Sequence, residues 1–159
     1  MNITLVTVGK IKEKYYRDAI AEYEKRLSRY CKLEMIEVAD EKTPDKASAV
    51  LEDRIKQREA ERILRYIRED AHCIALAIDG KGYDSVGFAK HLEGLGLSGK
   101  SNVVFVIGGS LGLHGSVLQR ADERISFSAM TFPHQLMRVI LLEQIYRGYR
   151  IINGEPYHK

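Results

Sequence analysis

The run "NVVFVIGGSLGLHGSV" (102–117) decides how this chain folds. Its first half is apolar without a polar break, as a strand buried on both faces of a parallel sheet must be. Its second half carries glycines, which let backbone come close to a neighbour or a ligand. Outward from it the same alternation repeats. "ITLVTVG" (3–9), "LEMIEVA" (33–39), "CIALAID" (73–79), "NVVFVIG" (102–108) and "RISFS" (124–128) read as strands. Helices are expected at 13–30, about 47–69, 85–95, near 115–121, and from Pro133 at the first helical position to about 149. Strand and helix in alternation predict an α/β fold, a mostly parallel five- to six-stranded sheet with helices on both faces.

Three of these strands end in suggestive loops. "DGKG" (79–82), "GGSLG" (108–112) and "SAMTFP" (128–133) each follow one. If the three strands are parallel neighbours, the loops meet outside their carboxyl ends, where open α/β sheets bind ligands.

The composition fits one globular domain over residues 1–159, with 45% hydrophobic and 30% charged residues. A chain of this length buries roughly 70% of its unfolded surface. No apolar run has the length of a membrane span, and the N-terminus lacks the basic region and cleavage site of a signal peptide. Cys31 and Cys73 are far apart in the sequence, so a cytoplasmic protein with reduced thiols is expected. The net charge of +3 is unevenly spread: residues 1–32 and 134–159 are basic and the stretch between them is acidic. Basic ends brought together would suit an anionic partner, although a solvated surface explains so small a charge equally simply.

Several chemistries can be weighed against these residues. "GGSLG" fits the G-x-S-x-G of esterases, and Ser110 could be joined by Glu123 and His134, or by Glu155 and His158. Such a match arises by chance in about one chain of this length in twenty, at usual Gly and Ser frequencies. The oxyanion loop that should accompany it is missing. The first strand ends in a single glycine, so no dinucleotide fingerprint stands there, and no G-K-[ST] marks a P-loop. His72, His91, His114, His134 and His158 show no ligand spacing, so no metal site is expected.

The final helix is apolar nearly all round, through Leu136, Val139, Ile140, Leu141, Leu142, Ile145, Tyr146 and Tyr149. Such a helix lies in a core or in a homodimer interface. Arg138 falls within its apolar arc and must be paired there, either as a clamp on backbone carbonyls or as a holder of substrate. The tail "NGEPYHK" (153–159) ends in an aromatic, an imidazole and a cation, side chains suited to a base and a phosphate.

"VFVIGGSLGLH" (104–114), "ISFSAMTFPHQLMRVILLEQIYR" (125–147) and "PYHK" (156–159) together resemble the RlmH-type methyltransferases of the SPOUT superfamily. The resemblance extends over essentially the whole chain, with "VGK" near the start and "AEYEKRL" in the first helix. It implies a C-terminal trefoil knot and S-adenosylmethionine as cofactor. It further implies a homodimer through the last helix, and methylation at N3 of a pseudouridine in large-subunit ribosomal RNA within the ribosome. The matching cofactor positions are Leu76, Gly108, Phe127, Ser128, Ala129, Met130, Thr131 and Phe132. Tyr157 and His158 would reach the partner's pocket, Lys159 would contact phosphate, and Arg138 would orient substrate or cofactor carboxylate. On this reading the glycines close on the cofactor and Ser110 is no nucleophile.

The proton on N3 must leave, so a base is needed, and His158 is expected either to serve as one or to position the target. A different class of function keeps the pocket but not the catalysis: an RNA- or ribosome-binding module. Methyl transfer to RNA separates the two.

Overall fold

The computed structural model describes residues 1–159. Its elements are β1 (Asn2–Val8), α1 (Lys14–Leu27), β2 (Lys32–Val38), α2 (Ala49–Leu64), β3 (His72–Gly82), α3 (Ser85–Leu97), β4 (Asn102–Ile107), α4 (Gly115–Arg120), β5 (Glu123–Ser126) and α5 (His134–Ile152). The strands form one 5-stranded sheet in the order β2-β1-β4-β3-β5. Every neighbouring pair is parallel.

β4 is central and Val103–Ile107 are all buried, as its unbroken apolar run demands. Side chains alternate between two faces with the period of two that a strand imposes. Ile3, Leu5, Ile74, Phe105 and Ile107 face α1, α3 and α5, where Ile20, Leu92 and Leu142 complete the packing. Val6, Val8, Val104 and Val106 face α2 and α4, against Ala60, Ile63 and Val117. Phe105 has no exposed surface, and removing a side chain of that size from water contributes about 2–3 kcal/mol.

Local chemistry sets the helix starts. Ser48 accepts the Leu51 N–H at 3.1 Å, and Asp84 accepts that of Gly87 at 2.6 Å, each satisfying a donor the helix leaves free. Asp122 takes the Cys73 N–H at 2.7 Å and so pins the start of β5 beside β3.

The structure departs from the sequence reading at several ends. The long second helix stops at Leu64 rather than near residue 69. Pro133 is the cap of α5 and not its first residue, with an extended ψ of 133°, and the helix continues to Ile152. The largest difference is in β3. "DGKG" is not a free exit loop, because the strand resumes there: Leu76 and Lys81 both register with Ile125, and the residues between them bow out. Gly80 makes that bow possible. A Cβ on it would lie 2.7 Å from backbone atoms of Arg124 and Ile125, closer than any side chain tolerates.

Candidate functional site

A cavity of about 660 Å³ opens at the carboxyl edge of β3, β4 and β5. Three segments build it: Leu76–Ile78 where β3 bows, Ile107–Leu113 after β4, and Ile125–Pro133 running out of β5. His134 and Met137, from the first turn of α5, close one side. The glycine loop doubles back on itself, with Gly112 N–H donating to the Gly109 carbonyl at 3.0 Å. Gly112 has a φ of +85°, a conformation that side chains disfavour. A Cβ on Gly108 would fall 2.9 Å from the Gly112 carbonyl carbon, so only glycine allows the fold-back. The third segment is held by its own serines: Ser126 Oγ donates to the Ser128 carbonyl at 3.2 Å, and Ser128 Oγ accepts the Met130 N–H at 3.0 Å.

More than half of the lining is apolar, with Leu76, Ile107, Leu113 and Phe127 among it, and most of the rest is glycine and small hydroxyl side chains. No Asp, Glu, Lys or Arg lines it. Of the expected cofactor positions, Leu76, Gly108, Phe127, Ser128, Met130, Thr131 and Phe132 line this cavity, and Ala129 does not. Asp79 to Gly82 also lie off it, a consequence of the resumed strand.

Arg138 lies off the cavity too. It is 1% exposed and points the other way, into the sheet edge. Its Nη2 donates to the carbonyls of Val8 at 2.8 Å and Gly9 at 2.9 Å, and its Nη1 to Glu37 Oε2 at 2.6 Å. Of the two roles open to this arginine, the carbonyl clamp is the one this geometry builds.

The tail folds back on α5 of its own chain. Tyr157 OH donates to Glu143 Oε1 at 3.0 Å, with its ring edge-on to Tyr146 and the Arg147 guanidinium over its face. Burial and the Glu143 carboxylate push the Tyr157 phenol up to about 12. Arg147 donates to His158 Nδ1 at 3.1 Å. Glu155 is fixed by Tyr30 and Arg150, which anchors the turn before the tail, and Lys159 is exposed.

The esterase arrangement is not assembled. Glu123 is held between His72 at 2.7 Å and His91 at 2.6 Å, Glu155 by Tyr30 and Arg150, and His158 by Arg147. Ser110 is exposed at the loop tip, with no base on it. Cys73 is buried, and desolvation pushes its thiol up to about 11, so it is a packing residue. No group of three or more His, Cys, Asp or Glu side chains is arranged to hold a metal ion. No helix is long and apolar enough to cross a membrane.

The family model described as "Predicted SPOUT methyltransferase" matches residues 1–158. The chain belongs to the SPOUT methyltransferase family. Over all 159 residues it is 65% identical to a Bifidobacterium adolescentis protein named ribosomal RNA large subunit methyltransferase H, both chains being covered in full. A Clostridium kluyveri protein of the same name is 58% identical over the same span, again with both chains covered in full. Among solved structures, a methylase family protein from Haemophilus influenzae Rd KW20 has a TM-score of 0.54 at 11% identity. That likeness covers 99% of this chain and 70% of the other, and it concerns the fold alone. In this SPOUT chain the glycine loop is therefore part of a methyltransferase scaffold, and its esterase pattern is a coincidence of spacing.

Nothing local in the sequence marks His134 as lining this cavity, because it resembles any polar residue at a helix start. Only the meeting of α5 with the cavity reveals it. Burial lowers its pKa below the usual imidazole value, the Arg138 charge lowers it further, and Asp40 and Glu13 oppose the shift.

Proposed function

We propose that this chain is an S-adenosylmethionine-dependent methyltransferase that acts on N3 of a pseudouridine in large-subunit ribosomal RNA, on assembled ribosomes. The observation that carries this reading is the cavity of about 660 Å³, built by three strand-exit segments and free of charged side chains. Its volume lies in the range of small-molecule sites. The two full-length relatives named for large-subunit ribosomal RNA support the substrate.

The residues present fit the cofactor. Leu76, Ile107 and Phe127 offer an apolar slot for a flat base, and the exposed backbone of Gly108 and of Phe127–Phe132 offers polar groups for the rest. The absence of Lys and Arg from the wall suits a cationic sulfonium, which a basic lining would repel. S-adenosylmethionine supplies a methyl group already activated by that sulfonium. The protein's part is then to align the target and exclude water. Ser128 and Thr131 line the cavity and offer hydroxyls to a polar target, with Phe132 also on the wall.

RNA affinity is ascribed to the cationic segment at the same sheet edge. Lys10, Lys12, Lys14 and Arg17 are exposed with the ring of Tyr15 among them. The Arg138 clamp on Gly9 ties this segment to the wall of the cavity. Cations bind phosphates and an exposed aromatic stacks on an unpaired base.

The working unit in this reading is a homodimer through α5, whose Leu136, Val139 and Ile140 stay only partly covered within one chain. Tyr157 and His158 would leave Glu143 and Arg147 to help place the target at the partner's cavity, with Lys159 on phosphate. The trefoil knot belongs to the same proposal and rests on membership of the SPOUT family.

The test is methyl transfer. Ribosomes lacking the modification are incubated with the protein and methyl-labelled S-adenosylmethionine. Label at a single pseudouridine of the large-subunit RNA is expected. No label in ribosomal RNA would reject the reading in favour of an RNA-binding module.

A further inference from the structure

The imidazoles of this chain are not equivalent. His72 and His91 both engage Glu123. His114 Nδ1 accepts the Ser116 N–H at 3.2 Å as the cap of α4. His158 Nδ1 is 3.1 Å from Arg147, and arginine can only donate, so the lone pair on that nitrogen is engaged and the neutral ring carries its hydrogen on Nε2. A base must reach the substrate with a free lone pair, and none of these four rings lines the cavity. His134 alone makes no hydrogen bond within the protein, and it alone of the five lines the cavity.

We propose that His134 takes the proton from the attacking nitrogen of the target base. The assignment rests on the function proposed above. His134 is the only titratable side chain on the wall. It sits at the first residue of α5, where the positive end of the helix dipole disfavours an imidazolium. The charge of Arg138, one turn along the same helix, also disfavours the imidazolium through space, while Asp40, beyond β2, and Glu13, ahead of α1, oppose that effect. The pKa of His134 is lowered below the usual imidazole value, which favours the neutral ring, and a neutral ring does not repel a sulfonium.

The step balances. The N–H bond of the target breaks and its proton passes to the imidazole. The electron pair left on nitrogen forms the new bond to the methyl carbon, and the pair of the breaking S–C bond stays with sulfur. The proton on His134 then leaves to solvent through the open mouth of the cavity. Tyr157 does not suit this role, because a phenol is protonated at neutral pH whether it stays on Glu143 or leaves it.

The test compares single-turnover methyl transfer across pH for the wild type, His134→Gln and His158→Gln. Wild-type rates should rise with pH to a plateau. His134→Gln should lose that limb and fall about 100-fold or more on the plateau, as loss of a general base does. Cofactor affinity by calorimetry should change less than two-fold, which separates chemistry from folding. Free imidazole should restore part of the rate to His134→Ala. His158→Gln should keep the limb and show its defect in KM. An NMR titration of the His134 ring in the protein alone should give a midpoint below 6.5, the usual histidine value.

A folded His134→Gln with wild-type rate and an intact limb would overturn this assignment and leave the methyltransferase reading standing. A wild type that transfers no methyl to ribosomes would remove both.

Discussion

Arg138 Nη2 lies 2.8 Å from the carbonyl oxygen of Val8, so the last helix is latched to the end of the first strand. The latch joins the two ends of the chain, 130 residues apart, beside the cavity. Buried and bonded to Glu37 as well, Arg138 cannot be removed without leaving the Val8 and Gly9 carbonyls short of a donor, whereas Glu37 keeps the Ile11 N–H and solvent. Arg138→Ala should cost about 2 kcal/mol or more in urea unfolding, the scale for leaving buried carbonyls without a donor. Arg138→Lys should recover only part of this, since one ammonium cannot reproduce the fork.

Gly80 tests the passage of β3 over β5. With three backbone atoms 2.7 Å from its would-be Cβ, Gly80→Ala must displace β5 or the bow. A loss of about 2 kcal/mol or more is expected, the scale of overpacking in a well-packed site. Gly82 has nothing within 4 Å of its would-be Cβ, so Gly82→Ala is the control and should change urea unfolding little.

The cationic segment gives a salt-dependent prediction. Lys10→Glu with Lys12→Glu should raise KM for large ribosomal subunits and leave cofactor affinity unchanged. The slope of log affinity against log salt should shrink by about one unit for each phosphate that is no longer neutralised. Equal salt slopes for variant and wild type would exclude this segment from the RNA interface.

Glu59 makes stability depend on pH. Burial is the main cause that raises its pKa, with the Glu41 N–H opposing. A raised folded pKa means the folded state binds the proton more tightly. The stabilisation is then full below the unfolded value and is lost as pH rises through the folded one. Glu59→Gln should therefore be more stable than the wild type at pH 8, with the gain shrinking on acidification. His134 has the opposite sign: its lowered pKa means that stability falls as pH drops below the usual imidazole value. Unfolding curves of Glu59→Gln and His134→Gln at several pH values separate the two contributions.

Much of the fold was legible because strands buried on both faces must be apolar throughout, and 103–107 is. The run 74–78 reads the same way, but it leaves the core after Ala75, where Leu76–Ile78 bow out to line the cavity. Two of the three expected loops, 108–112 and 128–133, could be placed at the cavity for the same reason, since parallel strands bring their ends to one edge, whereas 79–82 lies off it. The extension of β3 was not legible. "DGKG" is turn chemistry in any local reading, and only the approach of β5 converts it to strand. Arg138 was recognisable as needing partners, but the Val8 and Gly9 carbonyls come from the far end of the chain and carry no local signal. His134 was hidden similarly, because its meaning lies in which cavity α5 starts beside. The family resemblance supplied what spacing could not, since the expected cofactor positions share no side-chain chemistry that a local motif could mark.

The central claim is that the three-segment cavity holds S-adenosylmethionine. Calorimetric titration of the protein with that cofactor, beside a Gly108→Trp variant that must fill the cavity, tests it most directly. Saturable one-site binding to the wild type, abolished in a variant whose unfolding remains cooperative, is the predicted result. No binding to the folded wild type, or equal binding to both, would contradict it.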